Sequence, residues 1–121
     1  MKLHTWTPTI PHPITLIIAA IFWSMLPGPV LAKAGWTDYV SAAELIPTSK
    51  HYYEVRLPVS DNPSGCREKN WFYQNYETLG SDKMFEVLLE SIKSGIPVRV
   101  YVTGNCNLQG YAEFNSVGVT R

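Results

Sequence analysis

Two short runs carry the residues best suited to recognition chemistry. One is Trp71-Phe72-Tyr73-Gln74, the other HYYEVRLPV over residues 51–59. Both alternate with period two, so each reads as a strand with one face toward a core. If Phe72 and Gln74 turn inward, Trp71 and Tyr73 face out, where aromatic rings stack on sugars or bases. In the other run Tyr53, Val55 and Leu57 share one face and Tyr52, Glu54 and Arg56 the other. Tyr52 and Arg56 would then flank Trp71 and Tyr73, giving a candidate ligand surface of these four residues. The competing use is packing, because large aromatics are usually buried, here inside a barrel or under a subunit contact. Arg99 and Tyr101 pose the same choice.

Catalytic chemistry finds few candidates. His51 is the only histidine after residue 34, and no nucleophile lies near it in sequence. Glu86 and Glu90 are one helical turn apart, a spacing that can pair carboxylates for acid–base work but on a solvated helix is ordinary surface charge. Asp38, Glu44 and Glu113 are isolated. Gly104 and Gly110 read as turn residues, and no glycine-rich phosphate loop is present. The expectation is a protein that is not an enzyme and needs no cofactor or metal.

The chain has 121 residues and equal numbers of basic and acidic side chains. Residues 14–26 (ITLIIAAIFWSML) form an apolar run too short to span a bilayer. Lys2 precedes it, Pro27-Gly28-Pro29 ends it, and Ala32-Lys33-Ala34 places small residues where a signal peptidase reads them. Residues 1–34 therefore read as a signal peptide cleaved before Gly35, and a retained membrane anchor is the alternative. Removing 34 of 121 residues leaves 87, enough for one small domain, residues 35–121. That domain keeps eight of the ten Lys and Arg and all ten Asp and Glu, a formal charge of −2. With no basic run, nucleic acid is not an expected partner. Membrane contact is expected only through the signal segment. The two cysteines, Cys66 and Cys106, most simply form one disulfide in an oxidising, secreted or periplasmic setting.

The elements that must hold these residues centre on 81–103, SDKMFEVLLESIKSGIPVRVYVT. Met84, Phe85, Leu88, Leu89 and Ile92 recur at helical spacing and predict an apolar stripe. Ser81 is placed to cap the start, Gly95 to end the helix, and Pro97 to block continuation. Val98, Val100 and Val102 then alternate with Arg99, Tyr101 and Thr103 as a half-buried strand. Residues 35–46 read as a first, bent strand, with a short helix at 41–45 as the competing assignment. The runs at 51–59 and 66–76 are the second and third strands. Residues 104–110 read as a loop. A final strand over 111–119 slips phase around Asn115-Ser116, which suggests a bulge. The order is β-β-β-α-β-β, mainly β with one helix, which fits a small five-stranded OB-fold-like barrel plugged by the helix. An open five-stranded sheet with a helix on one face fits the same order.

A cysteine, an aromatic strand, GSDKMFEVLLESIKSGIPVRVYV and a second cysteine in NCNLQGY resemble a group of small exported bacterial proteins. These are similar to the OB-fold B subunits of AB-type toxins, such as the subtilase cytotoxin B subunit. The resemblance covers residues 66–119. It implies an exported, ring-forming, glycan-binding module, and it assigns no glycan-contact residue here. The expectation is thus a secreted or periplasmic, non-enzymatic binding module for a glycan or protein, with a homo-oligomer implied. The alternative is a structural or inhibitory interaction protein with no small ligand.

Overall fold

The structure, a computed structural model, describes residues 33–121. The expected signal peptide lies outside the described residues, apart from Lys33 and Ala34. In chain order the elements are β1 (Gly35–Trp36), β2 (Val40–Ser41), β3 (Glu44–Pro47), β4 (Tyr52–Arg56), β5 (Trp71–Asn75), α1 (Ser81–Ser94), β6 (Pro97–Cys106) and β7 (Ala112–Val119). The strands make one sheet in the order β1-β6-β7-β5-β4-β3, with β2 also paired to β6. The β5–β7 pair is parallel and the others are antiparallel.

Alternation along the strands builds the core. Tyr53 and Val55 on β4, Phe72 and Gln74 on β5, Val98, Val100 and Val102 on β6, and Ala112 and Phe114 on β7 are fully buried. Burying each large apolar side chain contributes roughly 1.5–3 kcal/mol. On β7 the register with β6 skips Asn115: Tyr101 pairs with Ser116 and Val102 with Phe114. That bulge lets Phe114 and Val117 face the same interior despite the phase slip between them.

The chain is mainly β with one helix among the described residues, but the sheet is not closed into a barrel as the sequence suggested. Residues 35–47 do not run as one strand. Asp38 leaves the ladder, and its carboxylate accepts the N–H groups of Ser60 (3.0 Å) and Asp61 (2.9 Å). Burial alone would raise this carboxyl, but those amide bonds outweigh it and hold the group below its ordinary range. Further on, the Ala42 N–H donates to Ser91 Oγ on α1 (2.9 Å), and Ala43 N–H donates to the Arg56 carbonyl (2.9 Å). The chain turns a corner here and moves from β6 to β4. No helix forms at 41–45. Nor is 104–110 wholly loop, since β6 continues through Cys106.

Helix α1 packs against β7, β3 and β6. Gly95 ends it in the left-handed conformation (φ 78°), its N–H bonded to the Ser91 carbonyl. The start differs from expectation. Gly80, also left-handed, is the N-cap, and the Ser81 hydroxyl instead donates to the Tyr76 carbonyl (2.8 Å). The buried line is Ser81, Leu88 and Ser91, while Ile92 is 38% exposed. The helix is rolled toward Ser91 because that buried hydroxyl has two backbone partners, accepting from Ala42 N–H and donating to the Ile96 carbonyl (2.6 Å). An isoleucine at the same place would leave both backbone groups unpaired.

A second polar group lies inside the core. The fully buried Gln74 accepts from the Tyr53 hydroxyl (2.7 Å) and donates to the Phe114 carbonyl (3.0 Å) and Met84 Sδ (3.3 Å). Cys66 and Cys106 form a disulfide, with S–S 2.03 Å and Cα–Cα 5.7 Å. It ties the 60–70 loop to the end of β6. Among the described residues no helix is long and apolar enough to cross a membrane.

Candidate functional site

The outer face of β4 and β5 gathers the four candidate residues. Pairing sets Arg56 opposite Trp71, Glu54 opposite Tyr73 and Tyr52 opposite Asn75. All four candidates are half-buried, since their inward neighbours Tyr53, Val55, Phe72 and Gln74 fill the core. Tyr52 and Tyr73 meet edge to face with ring centroids 6.1 Å apart. Arg56 is held by Glu44 on β3, Nε to Oε1 3.4 Å. The two side chains are 41% and 48% exposed, so this contact orients the guanidinium more than it stabilises the fold.

Tyr111 completes the surface, and the sequence reading missed it as a site residue. The parallel register sets Phe72 beside Ala112 and Tyr73 beside Glu113. Extended by one residue, it brings Tyr111 to Trp71. Their rings stack at 5.3 Å with 15° between planes. The alternation of Tyr111 and Glu113 with Ala112 and Phe114 was the available signal, but it needed the parallel partner to acquire meaning.

The face is acidic. Glu113 Oε1 accepts from Thr103 Oγ1 (2.9 Å) and Asn105 Nδ2 (3.0 Å) beside Tyr73. Burial and then the Glu113 charge raise the Tyr73 hydroxyl above its ordinary pKa. Tyr111 is raised likewise, by burial first and then by Glu54, Glu68, Tyr52 and Glu44. The four aromatic rings therefore sit among carboxylates that can accept hydrogen bonds from a ligand's hydroxyls.

Two loops border this face. Lys50, Tyr52, Asn107, Leu108 and Gln109 line a cleft of about 330 Å³. The 107–110 loop is rigidly built. Asn107 Oδ1 accepts from the N–H groups of Gln109 (3.1 Å) and Tyr111 (2.9 Å), and Glu68 N–H donates to the Gly110 carbonyl (2.9 Å). The Arg67 guanidinium donates to the Gln109 carbonyl. Gly110 is required here: its φ is 88°, and a Cβ would lie 2.9 Å from Arg67 Cβ. Leu108, at the tip, is fully exposed.

Arg99 and Tyr101 also face outward, but on β6, away from this cluster. The Arg99 guanidinium lies over Trp36 (4.3 Å) and Tyr39 (4.8 Å), and Trp36 meets Tyr101 edge to face at 5.4 Å. Of the residues weighed for catalysis, Glu86 and Glu90 are exposed on α1, and His51 is exposed in the loop just before Tyr52. Among the described residues no group of three or more His, Cys, Asp or Glu is placed to hold a metal ion. No protein-family model matches this chain, and neither does any curated protein or solved structure.

Proposed function

We propose that the protein is an exported, non-enzymatic binding module of OB-like architecture that takes a glycan on the outer face of β4 and β5. The observation that carries this reading is the pairing of aromatics there, Trp71 on Tyr111 and Tyr52 against Tyr73, interleaved with carboxylates. Sugar rings offer an apolar face to stack and a rim of hydroxyls to hydrogen-bond, and this surface presents both complements. Glu54 and Glu113 on it disfavour a phosphate backbone.

The OB reading is supported by strand pairing. Residues 35–47 pair with β6 at their start and with β4 at their end, and β5 lies parallel to β7. In OB-folds the face of the second and third strands, with the loops after the first and fourth, binds oligosaccharides and oligonucleotides. Here those parts are β4, β5, the 48–51 loop and the 107–111 loop. Export is supported by the apolar run at 14–26 and by the disulfide, which persists in oxidising compartments.

A glycan array probed with the oxidised protein tests the reading. A bound glycan whose affinity falls at least tenfold in Trp71→Ala and Tyr52→Ala, with circular dichroism unchanged, supports it. Binding that survives both substitutions refutes the assignment of this face. One observation favours a second reading, a protein-interaction module: Leu79 and Leu108, at two loop tips, are wholly exposed. An empty array, with a protein partner whose binding is lost in Leu108→Asp, selects that reading.

A further inference from the structure

We propose that a second cleft, between the start of α1 and the end of β3, binds an organic cation of the quaternary ammonium type. It shares no residue with the β4–β5 face and does not depend on that face binding a glycan. The cleft holds about 530 Å³ and is lined by Pro47, Tyr53, Tyr76, Ser81, Asp82, Phe85 and Glu86. That volume falls in the range of small-molecule sites.

Three rings meet at its wall, of which Tyr53 is fully buried and forms the base, while Tyr76 and the half-buried Phe85 reach the surface. Tyr53 packs edge to face on Phe85 with centroids 5.0 Å apart, and lies 5.8 Å from Tyr76. The tyrosine hydroxyls are already engaged. Tyr53 donates to Gln74, while Tyr76 accepts from the Thr48 N–H (2.8 Å) and donates to the Thr48 carbonyl (2.7 Å). The cleft therefore meets ring surface at Tyr76 and Phe85, and aromatic rings attract a soft cation.

The charges lining the cleft have one sign. Asp82 and Glu86 stand one turn apart on α1, no basic residue lines the cleft, and neither carboxylate has an ion-pair partner among the described residues. Two like charges at this spacing repel, a cost that a bound cation removes. The helix dipole already favours Asp82, in the first turn, but does not reach Glu86 as strongly. Rings and paired carboxylates together select a group both apolar in surface and positive in charge. An alkylated ammonium meets both demands, whereas a metal ion meets only the second.

The test is a titration of the oxidised protein with choline, followed by amide and aromatic shifts in NMR, beside the uncharged isostere 3,3-dimethylbutan-1-ol. Saturable shifts confined to the cleft, with the alcohol at least tenfold weaker, support the proposal. The doubly neutralised variant Asp82→Asn/Glu86→Gln, both exposed positions, is expected to lose roughly tenfold in affinity, as is Phe85→Leu, which keeps bulk and removes a ring. Co-sedimentation with phosphatidylcholine vesicles, with free choline as competitor, distinguishes a lipid headgroup from a free cation, and either result supports the site. No saturation below about 50 mM choline, weaker than the affinity two accessible rings and two charges imply, overturns it. So does equal binding of the alcohol, or binding unchanged in the neutralised variant.

Discussion

Removing the disulfide gives the most quantitative test of this fold. Cys66 is half-buried and Cys106 exposed, so Cys66→Ala/Cys106→Ala opens no interior cavity. Its effect falls chiefly on the unfolded chain. The bond joins residues 40 apart in sequence and encloses α1 with most of β6. On the chain-entropy relation a loop of this length lowers the stability of the unfolded state by about 4 kcal/mol. For a domain of this size that corresponds to a fall in Tm of roughly 15–30 °C. Urea unfolding of the oxidised protein and the double variant, followed by tryptophan fluorescence, measures the difference directly. The native spectrum should be shared, because the disulfide takes no part in the hydrogen-bond network around Gln74. A loss below about 1 kcal/mol would refute the reasoning, since it would mean that the unfolded chain already keeps the two ends together.

Leu88→Ala, at the one fully buried leucine of α1, is expected to cost about 2–5 kcal/mol by chemical denaturation, whereas Ile92→Ala should cost far less because Ile92 lies at the exposed edge. Gln74→Leu strands the Tyr53 hydroxyl and the Phe114 carbonyl inside the core and should cost about 1–3 kcal/mol, with Tyr53→Phe/Gln74→Leu recovering part of the loss. Asp38 has a folded pKa below its unfolded one, so its contribution is present above the unfolded value and fades as pH falls through the folded one. Asp38→Asn should therefore flatten the acid limb of a stability–pH curve below about pH 4.

Much of the fold is written in local periodicity. The buried faces of β4, β5 and β6, the left-handed stop at Gly95 and the bulge at Asn115 all follow from residues within a few positions of one another. So does the outward placement of Tyr52, Arg56, Trp71 and Tyr73. The features that escaped depend on distant partners. The division of 35–47 rests on Asp38 reaching Ser60 and on Ala42 reaching Ser91, 22 and 49 residues away. The roll of α1 toward Ser91 has the same origin, because an apolar stripe is indifferent to a hydroxyl until its backbone partners are in place. Tyr111 joins Trp71 only through a parallel register, and no nearest-neighbour pattern encodes which strand lies alongside another.

The position of β7 has a kinetic consequence. This strand is the last of the described elements, yet it lies between β6 and β5 and holds the two halves of the sheet together. A growing polypeptide that stops short of it has β4 and β5 on one side and β6 on the other, linked through residues 35–47 and α1 but with the inner edges of β5 and β6 unpaired. The sheet can therefore complete only after β7 has emerged. Until then the valines of β6 and the aromatics of β5 stay available to chaperones, and folding waits on β7.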